Sequence, residues 1–366
     1  MKKRTILALL LSIVLGLLCI GCGQEEQLFR IEDQNTGLIG YANQRGKIVI
    51  ECQYDGYDTI RDDTQYMVVE KEEQYMLIDK AGNVIFTVDG PLTYYPKTNL
   101  CDMMDRDMMY VVLDTEGNQK IPGQFELVYM IDQSHVCVKQ NGEVFMCDLE
   151  TNEQRKLIEG KTVRNIWASD QLIAYTEGEF DDRLNRWTEK WGVVDMQGNE
   201  ILPPTYDEMI GYSENRAFGY FTGGRSVWST EMHLLNEKGE VIKVFEGAYD
   251  PYLLQQPFEN GRAAIVQQGV GWGAIDEEGN WVLDPAEEEY NFTYLRIEEE
   301  VIHGITYGDR HVFYDLNGKK LFDSYVEEAK YTNGYIAFSD EEKGSGLMDL
   351  SGKIVTRFPE GYMWTN

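Results

Sequence analysis

Trp191-Gly192-Val193-Val194-Asp195-Met196-Gln197-Gly198-Asn199-Glu200-Ile201-Leu202-Pro203-Pro204 reads as two short strands joined by a tight turn. Strand-forming residues precede Asp195 and follow Gly198. Between them, Asp195 can fold its carboxylate onto backbone N–H groups two residues on, and Gly198 supplies the positive φ that a side chain would resist. The same sense recurs from Leu77 to Phe86 around Asp79 and Gly82, and from Gly273 to Val282 around Asp276 and Gly279. All six residues are read as structural turn residues.

Outward from this stretch the pattern repeats nine times. Its acidic or amide members are Asn43, Asp79, Asp114, Asp148, Asp195, Asn236, Asp276, Asp315 and Asp349, and a glycine stands three places on in every copy except the fourth, which has Thr151. Successive spacings of 36, 35, 34, 47, 41, 40, 39 and 34 residues are those of a repeat architecture. A further apolar strand precedes each hairpin, as in Tyr66–Glu70, Ala263–Val266 and Tyr335–Phe338. Each unit therefore holds three strands, and connecting segments such as Tyr54–Asp58 can supply a fourth. No stretch beyond the N-terminal segment sustains a helical period, so the fold class is all-β, a repeat array of β-hairpin units. The longest spacing carries an insertion, and Glu177 to Lys190 within it reads as a polar loop.

The unit resembles the WG repeat of bacterial proteins, also called KWG. Trp191-Gly192 with Asp195, Gly198, Ile201, Pro203, Tyr206 and Asp207 carries the resemblance, as do Trp272-Gly273 with Asp276, Gly279 and Val282, and Gly40-Tyr41 with Asn43, Gly46, Val49, Ile50, Tyr54 and Asp55. Elsewhere the Trp-Gly pair is replaced, for instance by Tyr75-Met76, Met232-His233 and His311-Val312. The resemblance implies a structural unit and no shared reaction. Such units bury one face and leave strand edges, which closure into a β-propeller removes. The alternative is an open β-solenoid or superhelix with atypical end repeats. Nine copies exceed the usual four to eight blades, so simple closure predicts that some copies share a blade.

The ends suggest a location. Lys2, Lys3 and Arg4 precede an apolar run from Ile6 to Ile20, which closes on Cys19-Ile20-Gly21-Cys22. This looks like a bacterial lipoprotein signal, which makes Cys22 the lipidated first residue of the mature chain. Two or more acyl chains would hold the protein to the cell membrane on its extracytoplasmic face. The expected domains are the signal peptide at 1–22, a short tether at 23–30 and the repeat domain at 31–366. The chain has 33 Lys+Arg against 63 Asp+Glu, a net charge of −30. The signal carries three cations and no anion, so its removal leaves −33. Repulsion at that charge excludes nucleic acid as a partner. Four cysteines follow Cys22; a two-residue turn at Asn141-Gly142 places Cys137 and Cys147 on opposite hairpin faces, and buried free thiols are expected.

No catalytic motif is present: there is no Gly-x-Ser-x-Gly elbow, no Walker loop and no His-Glu-x-x-His. His135, His233, His303 and His311 are read as lying in different repeats without ligand spacing, so neither metal nor cofactor is expected. With so many acids, no carboxylate pair points to a glycosidase by itself. Aromatic residues in irregular segments suit recognition of a sugar or peptide: Tyr94, Tyr95, Trp187, Trp228 and Trp364. The expected function is a non-catalytic binding or scaffold module for a protein, peptide or envelope glycan. The alternative is a propeller-type carbohydrate-active hydrolase or lyase.

Overall fold

A computed structural model describes residues 26–56, 65–158, 163–169, 171–181, 186–222, 229–249, 256–286 and 291–365. Among them every regular element is a β-strand, and every strand pairing is antiparallel with its sequence neighbour, apart from one that closes the ring. The strands form nine blades, each holding one copy of the turn motif; blades 6 and 7 are joined into one sheet only through the pair Tyr249↔Gln267. A full blade has four strands, called A to D from the axis outward. Blade 4 is Leu127–Met130, His135–Gln140, Glu143–Asp148 and Gln154–Lys156. The A strands of neighbouring blades pack on one another, which puts them at the centre.

Closure joins the two ends of the chain. Strand Tyr362–Trp364 serves as strand A of blade 1 and pairs with Leu28–Asp33, with Ile31 opposite Trp364. The buried clusters then run round the ring without a gap. Tyr41 and Ile78 share the core between blades 1 and 2, Leu77 and Tyr94 that between 2 and 3, and Phe125 and Cys147 that between 3 and 4. Cys137 and Tyr175 sit between blades 4 and 5, Tyr206 and Tyr212 between 5 and 6, and one large cluster spans blades 6 to 8. Phe313 and Phe338 join blades 8 and 9, and Phe29 and Phe358 return to blade 1. The architecture is a closed nine-bladed β-propeller, so the open solenoid does not apply. Copies do not share blades as expected; each makes its own. The first strand begins at Leu28.

The repeated motif works as a turn and as a seam between blades. Asp195 Oδ1 accepts from the N–H groups of Gln197 and Asn199, Oδ2 accepts from the Asn199 amide, and Gly198 takes a φ of +85°. Asp79 and Asp276 make the same three bonds, and Gly82 and Gly279 the same φ > 0. Each turn glycine also presses on strand D of the preceding blade. A Cβ at Gly198 would stand 2.5 Å from the Leu157 carbonyl oxygen, at Gly318 2.4 Å from that of Val282, and at Gly352 2.5 Å from the Phe322 ring. Blade 4 breaks the rule. Its turn is one residue longer, with Asp148 N–H bonded to Glu153, and Asn152 takes the positive φ instead of Thr151. The preceding blade 3 has no regular strand D, only isolated bridges at Gln119 and Phe125. Leu149 fills that space with Ile121 and Phe125, so no glycine is needed there.

The Trp-Gly glycine has a separate cause. Trp191 pairs with Tyr206 and Val193 with Leu202, so Gly192 alone faces Pro203–Thr205 in a bulge. A Cβ there would lie 2.9 Å from the Leu202 oxygen. Gly40 faces a similar bulge, with Ile39 opposite Tyr54 and Tyr41 opposite Ile50. Where Met76 or Val312 holds this place, strand D pairs with it directly, through Thr87 and Asp323. At Gly192 and Gly40 the outer strand bends over the glycine.

Candidate functional site

The two faces of the ring differ. One carries the nine Asp or Asn turns, eight of them built to one plan, and the A–B hairpins. The other carries the B–C hairpins and D–A connections, and there the blades diverge. In blade 5, strands Leu172–Asp181 and Arg186–Asp195 pair over their whole length, from Leu172↔Asp195 to Asp181↔Arg186. Strand A reaches only Glu177. A two-stranded ribbon therefore rises past the blade by four residues a strand, about 13 Å. Of the segment read as a polar loop, residues 177–181 and 186–190 are β-structure, because both strands continue in register beyond the blade edge.

The expected aromatic residues are dispersed. Trp187 falls on this ribbon and Trp228 among residues 223–228, and both side chains lie outside what is described. Tyr94 and Trp364 do not present their rings to a ligand: the first is packed between blades 2 and 3, edge-on to Tyr66, and the second between blades 9 and 1. Tyr95 is half-buried, and its hydroxyl donates to Asp102 Oδ2 at 2.7 Å. Burial raises the Asp102 carboxyl to about 6, against the opposing hydrogen bond from Tyr95. These three positions looked like loops because their strands are short and flank prolines or the chain end. Cys22 also lies outside the described residues. Cys52, Cys101, Cys137 and Cys147 are free, and Cys137 and Cys147 point into the cores on opposite sides of blade 4.

Two of the four histidines are brought together in one blade, contrary to expectation. In blade 8, His303 lies on strand B (Val301–Thr306) and His311 on strand C (Arg310–Asp315). The register sets Ile305 opposite His311 and His303 opposite Phe313, which leaves the two rings diagonal on one face. Their nitrogens meet at 2.9 Å, His303 Nε2 to His311 Nδ1. On strand A (Phe292–Glu298), Arg296 donates through Nε and Nη2 to His303 Nδ1 at 3.3 and 3.2 Å and is ion-paired with Glu298. His303 Nδ1 also lies 3.4 Å from Glu298 Oε2, so Arg296, Glu298 and the two imidazoles form one connected cluster. The His311 ring hydrogen-bonds in turn to the Glu327 backbone. Tyr331 N–H on blade 9 donates to Glu298 Oε2 at 2.8 Å.

Burial pushes both imidazoles down, His311 to about 4; for His311 the neighbouring His303 adds to the effect. Glu298 stays ionised despite its burial, held low chiefly by His303 and also by Arg296. The cluster buries His303, His311 and Glu298, with His303 wholly shielded from solvent. It pins blade 8 to blade 9 and has no free position for a substrate. A hairpin register count would have revealed it, since 303 and 311 fall two residues off direct opposition. A second relay, on blade 6, runs from the Tyr206 hydroxyl to His233 Nδ1 at 2.8 Å and from His233 Nε2 to Glu231 at 2.6 Å. Burial lifts the Tyr206 phenol to about 12, and its ring lies against the bare backbone of Gly219. This relay fastens the connection into blade 6. His135 is separate, bonded to Asp132 at 3.0 Å. Among the described residues no group of three His, Cys, Asp or Glu side chains could hold a metal ion.

Exposed aromatic rings are concentrated. Among the described residues the exposed large aromatic side chains are Tyr294, Tyr307 and Tyr325, at 37%, 77% and 59%, all in blade 8. All three lie at its loop-face end: Tyr294 near the start of strand A, Tyr307 in the B–C turn, and Tyr325 at the end of strand D (Lys320–Tyr325).

Fold and site together define a closed β-propeller built from hairpin repeats, with a uniform turn face and a varied loop face. Three segments, 39–73, 191–218 and 272–286, match the model of the WG containing repeat. They cover the best-kept copies named from the sequence. No curated protein matches the chain. Among solved structures, a eukaryotic initiation factor is similar at 11% identity and a TM-score of 0.61, covering 93% of this chain and 98% of its own. A dipeptidyl peptidase 4 from Porphyromonas gingivalis is similar at 10% identity and a TM-score of 0.55, over 79% of this chain and 57% of its own. At such identities the likeness is one of fold alone.

Proposed function

We propose that the protein is a lipid-anchored, extracytoplasmic binding or scaffold module, attached through Cys22, that holds a protein, peptide or envelope glycan on its loop face without catalysis. The observation that carries this reading is the contrast between faces. Eight turns of one design and a ninth one residue longer make one side, while the blade 5 ribbon and the exposed tyrosines of blade 8 stand on the other. Scaffolds place specificity in such loops. The acid–base groups that come together, in blades 6 and 8, are spent on hydrogen bonds between strands, which supports binding over turnover.

Two measurements test the reading. Membrane fractionation of the wild type and Cys22→Ser should find the variant in the soluble fraction; retention in the membrane would refute lipidation. Envelope glycans and peptides incubated with the protein should be recovered intact, and enzyme-dependent cleavage of any of them would refute the absence of catalysis.

A further inference from the structure

We infer that the loop-face end of the seam between blades 7 and 8 binds a neutral, polyhydroxylated glycan stacked on Tyr294, Tyr307 and Tyr325. This rests on the reading of the protein as a binding module and names the site and ligand class within it. The three residues stand at one end of blade 8, and contacts place two of the rings, Tyr294 and Tyr325, on its blade 7 side. Tyr325 pairs with Arg310 across strands C and D, and the Arg310 guanidinium lies over its ring, 5.4 Å from the centroid. Arg310 shares a strand face with Val312 and Tyr314, which pack into the cluster shared with blade 7. Arg310 and Tyr325 therefore stand on the blade 7 side. Tyr294 lies edge-on to Trp272 of blade 7, ring centroids 5.5 Å apart, and Gln256 donates to its hydroxyl at 3.3 Å. Trp272 is fixed by its indole N–H, which donates to the Thr293 carbonyl at 3.1 Å. Tyr307 stands in the turn between them. From strand A to strand D the row spans three inter-strand gaps, about 14 Å.

Chemistry selects the ligand. The exposed rings are separate and each carries a hydroxyl, with polar Thr293 and Asp309 between them. That surface offers flat apolar faces and hydrogen-bond groups in alternation, as a sugar chain does. Arg310, the cation of the row, is engaged by Asp323 and by the Tyr325 ring. With that charge compensated and a net charge of −30 on the chain, an anionic glycan would be repelled.

Titration calorimetry of the full chain with cellohexaose, chitohexaose and maltohexaose, with a polygalacturonate oligomer as the anionic counterpart, tests the assignment. At least one neutral hexasaccharide should bind and the anionic one should not. Tyr307→Ala and Tyr325→Ala, exposed changes that leave the urea midpoint in place, should each weaken binding about three- to tenfold, the scale of one lost aromatic contact. Unchanged affinity in both variants would overturn the site while leaving a binding module. Absence of binding by all three neutral sugars, or preference for the anionic oligomer or for a peptide, would overturn the glycan. Cleavage of a hexasaccharide would instead overturn the non-catalytic reading beneath it.

Discussion

Replacing the glycine of a repeat turn by alanine separates its two duties. Gly198 adopts a φ of +85°, and a Cβ would sit 2.5 Å from the Leu157 oxygen of blade 4. Arg155 of blade 4 clasps the same turn, donating to the carbonyls of Met196 and Gln197. Alanine in the left-handed region costs roughly 1–2 kcal/mol. Forcing apart a packed backbone contact adds about 1–3 kcal/mol, so Gly198→Ala should lose about 2–5 kcal/mol. Gly142 is the internal control, with a φ of +75° and nothing within 4 Å of a built Cβ. Gly142→Ala should lose only the conformational part, about 1–2 kcal/mol. Urea unfolding followed by tryptophan fluorescence, with a common slope for all three proteins, reads the difference. Equal losses for the two alanines would refute the seam and reduce the motif to a hairpin turn.

Three further outcomes follow from the packing and the buried charges. Gly192→Ala should cost about 1–3 kcal/mol by displacing the bulged strand, and a stability equal to wild type in the same urea titration would show that the bulge tolerates a side chain. His303 and His311 are neutral in the fold with depressed pKa values, so the stability they give is complete above the unfolded value of about 6.5 and is lost as pH falls towards 4. His311 alone should account for about 3 kcal/mol of that loss; a His303→Gln/His311→Gln variant should flatten this slope, and an unchanged slope would place the acid sensitivity elsewhere. Asp102 has the opposite sign, because its raised pKa of about 6 makes the fold less stable as pH rises from about 4 to 6. Asp102→Asn should therefore be more stable than wild type at pH 7, by up to about 3 kcal/mol, with the advantage vanishing near pH 4, and an advantage that persists at pH 4 would refute this origin.

Local chemistry made the turns legible. An Asp or Asn, two free N–H groups and one positive φ are satisfied within five residues, so nine copies announce nine hairpins. The exception at Asp148 was visible only as a lost glycine; its cause, the missing strand D of blade 3, lies one repeat away. Closure was less legible, because Ile31 and Trp364 meet across the whole length of the chain. Blade number is set by how wedges pack round an axis, and the local pattern does not encode that angle. The same holds for the site. Tyr94 and Trp364 share the composition of loop aromatics, but neighbouring blades cover them. Tyr294, Tyr307 and Tyr325 carry no distinguishing local signature, and only the register of blade 8 against blade 7 sets them in a row.

On the proposed anchoring through Cys22, the start of the first strand would set the orientation of the whole molecule. Leu28 lies opposite Asn43, so the chain enters the ring through the turn face. Before that strand begins, Glu26 and Gln27 are already fastened to the first turn, through Asn43 and Gln44. With Cys22 acylated, three residues would separate it from the first fastened residue, Glu26, four steps along the chain and a reach of at most about 14 Å. The ring would then stand like a table on a single short leg, its nine turns towards the headgroups. The ribbon of blade 5 and the tyrosines of blade 8 would face away from the bilayer, towards whatever fills the envelope beyond.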